Sequence, residues 1–296
     1  MSASTPPVSK RTQPIKKGWL TRLRQRNVLP GFGLSMGITV FSLSLLVVLP
    51  FAMMAYTTTQ MGWSGFWETI SQPQVTAAIK LTLWMSFLAM LTNMVFGTLV
   101  AWVLVRYEFW GKSLINALVD LPFALPTAVT GISLATLYAP NGLIGQYFEK
   151  FDIQVAFTPI GIWLALVVVS FPFIVRAVQP VLAELSVEFE EAAAVLGANR
   201  MTTFRKIILP ELLPAMLMGA GMMFARATGE YGSVIFIAGN IPMQSEILPL
   251  IIISKLEQFD VQGASAVALF MLLISFVILL TINIVQWRLS RRVGAR

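Results

Sequence analysis

The sequence contains no cysteine and no histidine among its 296 residues, and only 12% of its residues are charged. These absences exclude thiol nucleophiles, Ser-His-Asp triads, Cys/His zinc sites, c-type haem attachment and histidine proton relays. The low charge, beside 56% hydrophobic residues, also excludes an ordinary soluble domain, which carries about 25% charged residues. We expect a membrane protein that binds no metal and no cofactor itself.

Apolar runs with few or no charges, long enough to cross a bilayer at about 20 residues each, recur along the chain. They predict an all-α, polytopic membrane protein with six transmembrane helices. The predicted spans are residues 32–56, 81–105, 114–137, 157–176, 212–238 and 262–287. Residues 1–30 are predicted to form a basic cytoplasmic N-terminal arm, and residues 31–296 a single transmembrane permease domain.

The distribution of Lys and Arg predicts the orientation of the spans. Most of the 21 basic residues lie in the N-terminal arm, between spans two and three, between spans four and five, or after span six. Only Lys80, Lys150 and Lys255 flank the opposite ends of the spans. By the positive-inside rule, both termini are therefore expected in the cytoplasm.

Two connections are too structured to be plain loops. Residues 184–210, between spans four and five, are rich in Ala, Leu and Glu and predict a cytoplasmic helical segment. The apolar run Ile247 to Ser254 is far too short to span and predicts a re-entrant or surface half-helix.

The cytoplasmic segment also contains residues at fixed spacing that form a known motif. Its carboxylates at 188, 190 and 191 suit the first turn of a helix, and Gly197 suits the C-terminal cap. The spacing resembles the EAA motif of ATP-binding cassette (ABC) importer permeases, whose coupling helix inserts into a cleft of the ATPase subunit. The matching residues are Glu191, Ala192, Ala193, Gly197, Ile207, Leu209 and Pro210.

Two further segments resemble one branch of that family. Residues 224–242 and 120–131 are similar to the signatures of the sulfate, molybdate and tungstate permeases, and residues 178–184 and 236–240 look most like the CysT (CysU) sulfate/thiosulfate permeases. The resemblance implies the type I ABC importer permease fold in a bacterial inner membrane. It also implies a subunit that translocates sulfate or thiosulfate, while ATP and Mg²⁺ bind to separate ATPase subunits.

The partners implied by the resemblance are a CysW-type homologous permease, a CysA-type ATPase dimer and a periplasmic sulfate/thiosulfate-binding protein. The membrane lipid is a further partner, and no nucleic acid is expected because the basic arm acts as a topology signal. Two alternatives stay open: a molybdate or tungstate permease of the same branch, and, from a different class, a secondary anion transporter driven by an ion gradient.

Charged residues inside predicted spans are candidates for the translocation pathway, because a charge within the bilayer must face protein or water. Arg226 and Glu230 lie four residues apart in span five, on one predicted helix face. One interpretation is a buried ion pair that fixes helix packing. The other is that Arg226 guides a tetrahedral dianion while Glu230 holds the guanidinium and keeps anion binding weak.

Asp120 and Asn240 complete the set of pathway candidates. Asp120 lies near the inner end of span three and is followed by Pro122 and Pro126. We expect it either to cap a broken helix by accepting backbone N–H bonds or to form an inner gate contact. Asn240 ends the segment that resembles the sulfate permeases.

Overall fold

The computed structural model of the chain describes residues 32–293, which are helical throughout apart from turns and short connections and contain no strand. The predicted N-terminal arm, residues 1–30, lies outside this range. The helices are α1 Gly33–Thr59, α2 Gly62–Ser71, α3 Pro73–Arg106, α4 Lys112–Ala124, α5 Thr127–Tyr138, α6 Gly145–Glu149, α7 Pro159–Glu184, α8 Glu188–Val195, α9 Arg200–Thr228, α10 Val234–Ile237, α11 Leu248–Glu257 and α12 Val261–Val293.

Within residues 32–293, five helices are long and apolar enough to cross a membrane, and a sixth span is formed if the bent pair α4 and α5 is counted as one. This confirms the all-α, polytopic fold. The helix α3 has 34 residues, so it is about 51 Å long and exceeds the hydrocarbon core of about 30 Å. This helix begins eight residues before the predicted second span, 81–105, and ends one residue after it.

The third span is broken. The chain bends by 110° between α4 and α5, inside the segment 114–137 that the sequence predicts as one span with a broken helix. The break lies at Leu125 and Pro126, whose ψ angles of 137° and 131° are extended. Proline explains it, because its ring disfavours the helical conformation of the preceding residue.

The fifth span begins and ends earlier than predicted. The sequence predicts 212–238, but α9 covers Arg200–Thr228, and residues 229–233 form a turn before the short helix α10. Glycines at 229 and 232 disfavour continuation of the helix. At the other end, Pro210 does not interrupt the helix, because the π-helical turn Phe204–Ile208 widens the backbone just before it.

By their contacts, the described residues divide between Met53 and Met54 into two separate compact units. In the second unit, α3, α7 and α9 pack closely at small residues. A Cβ at Gly97 in α3 would lie 2.8 Å from Ile174 Cγ2 in α7, and a Cβ at Gly219 in α9 would lie 2.9 Å from Ala177 Cβ. Such close backbone approach is the usual way in which membrane helices associate.

The second unit has two ends with different structures. One end, which we call the hairpin end, contains residues 106–112 and residues 184–205, in which α8 and the start of α9 form a helical hairpin. The loop end contains residues 139–158 and 229–260, where the predicted half-helix is present as α11. At this end Thr82 Oγ1 accepts a hydrogen bond from Leu248 N at 2.9 Å, and Gln74 Nε2 donates to Glu246 Oε2 at 2.7 Å. These bonds attach α11 to the start of α3.

Candidate functional site

The EAA segment folds as a helical hairpin with a rigid turn. Helix α8 carries three carboxylates in its first turn, as predicted. Gly197 has a φ of +79°, the left-handed conformation that favours glycine at a helix C-terminus. Gly197 N donates to Ala194 O at 3.0 Å, and Ala198 N donates to Ala193 O at 2.9 Å. The spacing of the motif therefore encodes the turn.

The second arm of the hairpin starts with its own cap. Asn199 Oδ1 accepts a hydrogen bond from Thr202 N at 2.8 Å and so satisfies a free donor at the start of α9. Ile207, Leu209 and Pro210 follow in and just after the π-helical turn, where all three are partly buried. These three motif residues therefore help to hold the hairpin against the membrane-spanning helices.

The exposed tip of the hairpin is apolar. The motif residues differ in exposure: Ala193 is buried, whereas Glu191 and Ala192 are exposed. At the tip, Val195 and Leu196 are 88% and 87% exposed. A cluster of exposed large apolar side chains marks an interaction surface rather than a solvated turn. Three further residues extend this surface: Val187, Phe189 and Met201.

Asp120 does not cap the broken helix. It lies inside α4, four residues before α4 ends, and forms a two-point ion pair with Arg176 of α7. Arg176 Nε lies 2.7 Å from Asp120 Oδ1. Asp120 cannot cap a helix start because α4 already begins at Lys112, so its carboxylate pairs with the Arg176 side chain instead.

Arg176 uses all five of its N–H donors within the protein. Beyond Asp120, its Nη1 donates to Asn116 Oδ1 at 2.9 Å and to Gln179 Oε1, and its Nη2 also donates to the Asn116 carbonyl at 2.9 Å. A guanidinium has only five such donors. In this conformation Arg176 therefore ties α4 to α7 and has no donor left for an anion. Sequence reasoning counted it only as a flanking charge.

Arg226 has a different environment. It lies in the last turn of α9 and forms an ion pair with Glu230. The helix ends at Thr228, so Glu230 lies in the following turn and not on the predicted helix face. Its carboxylate is almost fully buried and accepts two bonds of 2.9 Å, from Ser233 N and from Ser233 Oγ.

The Arg226 side chain is 37% exposed, and among the described residues only Glu230 accepts from it or pairs with it. Most of its N–H donors therefore remain available, in contrast to those of Arg176. Glu230 and the carbonyl-rich end of α9 partly neutralise the charge. The arrangement can hold an oxyanion through charge-assisted bonds without holding it tightly.

The turn that fixes Glu230 also contacts the broken span. A Cβ on Gly131 of α5 would overlap the backbone of Ser233, and a Cβ on Gly232 would overlap Thr127 Oγ1. Only glycine allows this approach. The second half of the broken span is thus packed directly against the turn that orients Arg226.

Asn240 is exposed at the loop end and has a φ of +50°. In the described part of the chain, no hydrogen bond joins its side chain to Arg226 or Glu230. The structure therefore brings Arg226 and Glu230 together, and places Asp120 and Asn240 in separate surroundings.

At the loop end, Asp260 caps α12. The N–H of Gly263, 2.8 Å from Asp260 Oδ1, lowers the pKa of the carboxyl group. Burial opposes this shift, and Lys255, whose Nζ lies 3.0 Å from Oδ2, adds to it. The net pKa lies below the usual value of 3.8, so the carboxylate form is stabilised.

Comparison with known proteins decides the family. Residues 93–295 match the family model described as "Binding-protein-dependent transport system inner membrane component". The chain belongs to this family of permeases. It is 49% identical over 268 residues to the "Sulfate transport system permease protein CysT" of Salmonella typhimurium, which covers 90% of the chain and 97% of the relative. It is 44% identical to the protein of the same name in Synechococcus elongatus, over 93% of the chain and 96% of the relative.

A solved structure supports the permease fold. The chain matches the crystal structure of a bacterial ABC transporter involved in the import of alginate, with a TM-score of 0.73 over 91% of this chain and 98% of that chain. At 17% sequence identity this likeness concerns the fold alone. The resemblance to ABC importer permeases of the sulfate branch is therefore confirmed, while the direction of the termini stays a prediction.

Sequence reasoning missed two arginines in this permease, Arg176 and Arg106. Arg176 stands between Pro172 and Pro180 in an otherwise apolar helix, the same signal that singled out Arg226. Arg106 is the last residue of α3 and bonds to the EAA hairpin. The signal for Arg106 was weak, because a basic residue at the end of a span is ordinary.

Proposed function

We propose that this permease is a membrane-spanning subunit of an ATP-driven importer that carries sulfate, and thiosulfate with it, across the inner membrane. The observation that carries the proposal is the identity of 49% to a sulfate transport permease along 90% of the chain. The structure adds an exposed apolar hairpin at one end and an accessible guanidinium in α9. The chain itself performs no ATP hydrolysis, which belongs to separate subunits.

We place the hairpin end in the cytoplasm, together with both termini, and the membrane is that of a bacterium. Arg106, Lys112 and Arg200 lie at the hairpin end, whereas Lys150 and Lys255 lie at the loop end with few other cations. This asymmetry is what the positive-inside rule requires.

The hairpin is proposed to dock into a CysA-type ATPase. The exposed Val195 and Leu196 supply the apolar contact, and the turn at Gly197 holds them in a fixed position relative to α9. Glu191 and Ala192 border this surface. The other proposed partners are a CysW-type permease beside this chain and a periplasmic sulfate/thiosulfate-binding protein at the loop end. ATP and Mg²⁺ bind the ATPase subunits and not this chain.

The anion is proposed to pass Arg226. Its free donors suit the oxygens of a tetrahedral dianion, and Glu230 competes for the same guanidinium. Weak capture suits a transporter, because tight binding would slow release. Asp120 has its partner in Arg176, so we assign it to holding the broken span and not to the anion.

The test is uptake of radiolabelled sulfate into proteoliposomes that contain the complete importer, with ATP supplied on the ATPase side. We expect uptake to need ATP and the sulfate-binding protein, and to be competed by thiosulfate more strongly than by molybdate or tungstate. Competition chiefly by molybdate or tungstate would assign the permease to that substrate. Uptake without ATP, abolished by collapsing the ion gradients, would establish a secondary transporter.

A further inference from the structure

Arg106, the last residue of α3, contacts the first arm of the EAA hairpin at two points. Its Nη2 donates to the carbonyl of Leu185 at 3.0 Å and lies 2.9 Å from Glu190 Oε1 in an ion pair. The Arg106 side chain is 14% exposed and that of Glu190 28%. Since the pair is largely shielded from water, removing either partner leaves the other charge poorly solvated and costs more than it would at the surface.

The same guanidinium leads to the second arm. Arg106 Cζ lies 5.8 Å from the ring centroid of Trp102, one turn earlier in α3. The Trp102 ring meets the ring of Phe204 edge to face, with centroids 6.0 Å apart. Phe204 begins the π-helical turn of α9. We call Trp102 and Arg106, with their partners Leu185, Glu190 and Phe204, the α3 junction.

We infer that Arg106 and Trp102 are positioning residues that make the end of α3 move with both arms of the hairpin. The inference rests on the proposed function, in which the ATPase displaces the hairpin. One residue pair contacts the chain both before and after the hairpin tip, so displacement of either arm pulls on the same helix end. Because α3 has no internal proline and Thr82, in its first third, bonds to α11, the motion reaches the loop end.

The matched control is Lys112, a cation in the same connection. It pairs with Glu108 at 2.7 Å, four residues away, and among the described residues no hydrogen bond or ion pair joins either of them to the hairpin. Lys112→Gln therefore removes a charge and an ion pair from the hairpin end without altering the α3 junction.

The experiment measures sulfate transported per ATP hydrolysed by the complete importer. Loss of folded complex lowers transport and hydrolysis together and leaves this ratio unchanged, whereas uncoupling lowers the ratio. For Arg106→Gln we expect the ratio to fall about tenfold, within the range usual for coupling between two sites. Trp102→Leu, which removes the ring contacts with Phe204 and Arg106 but keeps the Arg106–Glu190 ion pair, should lower it by a smaller factor, and Arg106→Lys should lie between Arg106→Gln and the wild type. Lys112→Gln should keep the wild-type ratio.

A second readout does not depend on uptake. Because the chain has no cysteine, Gln72→Cys provides a single labelling site at the exposed start of α3. We expect ATP binding to change the spectrum of a spin label there, and Arg106→Gln to abolish that change while Lys112→Gln preserves it.

Several results would overturn the inference: an unchanged transport ratio in Arg106→Gln, an equal loss in Lys112→Gln, or a label response that persists in Arg106→Gln. A wild-type ratio in Trp102→Leu would remove the second arm from the α3 junction. If the wild-type complex shows no ATP-dependent uptake but the label still responds to ATP through Arg106, the proposed substrate is wrong and the α3 junction stands.

Discussion

Two arginines of this permease predict opposite consequences for the same substitution. Arg176 makes five hydrogen bonds within the protein, and lysine has only three donors. Arg176→Lys therefore loses at least two bonds, each contributing about 0.5–1.5 kcal/mol net. The expected loss is about 1–2 kcal/mol, near the lower end, because the side chains of Arg176 and Asp120 are 31% and 49% exposed.

For Arg226→Lys we expect a small effect on stability and a large effect on uptake. A lysine keeps the single ion pair with Glu230, so stability should change by less than about 0.5 kcal/mol. It loses the planar pair of donors that an oxyanion needs, at about 1.5 kcal/mol for one charge-assisted bond. That loss corresponds to about a tenfold lower rate of sulfate uptake.

The assay is thermal unfolding of the purified complex together with uptake at saturating sulfate-loaded binding protein. Arg176→Lys should lower the unfolding temperature and retain most of the uptake at a temperature where it is folded. Arg226→Lys should keep the wild-type unfolding temperature and lose most of the uptake. Equal effects of the two variants on uptake, or an unchanged unfolding temperature in Arg176→Lys, would refute the reasoning from donor saturation.

Two further predictions concern the backbone and a helix cap. A Cβ at Gly197 (φ +79°) or Gly62 (φ +74°) meets no atom within 4 Å, so alanine at either costs only the left-handed backbone, about 1 kcal/mol. We expect Gly197→Ala to lower ATP-driven uptake severalfold and Gly62→Ala to leave it unchanged; similar uptake in both would contradict a role for the hairpin turn. Asp260→Ala should lower stability by about 0.5–1 kcal/mol at neutral pH. Because the pKa of Asp260 is lowered in the folded protein, this difference should persist down to about pH 3.8 and disappear as the pH falls through that lowered pKa, as unfolding curves at a series of pH values will show.

The features that sequence predicted best depend on short-range spacing. The hairpin turn follows from Gly197 and its neighbours, and the break of the third span from Pro126. The end of α9 was placed ten residues too late, because the apolar run from 233 to 238 outweighed the two glycines before it. Within this run the short helix α10 forms, with Val234 and Ile237 buried.

The pairing of charged side chains could not be predicted from spacing. Asp120 and Arg176 are 56 residues apart, and Arg106 and Glu190 belong to different helices. Which carboxylate meets which guanidinium depends on how far each helix extends and on the packing of α3 and α7 at positions such as Gly97. Arg226 and Glu230 are only four residues apart, so their pairing is within reach of sequence reasoning.

The length of α3 has a mechanical consequence. This helix is about 51 Å long and is attached to the hairpin through its last residue, Arg106, and to α11 through Thr82 in its first third. If its pivot lies in the tightly packed region around Gly97, nearer the hairpin, the two lever arms are unequal. A small displacement of the short arm then produces a larger displacement at the end of the long arm. The permease can thus amplify the movement that the ATPase imposes on the hairpin.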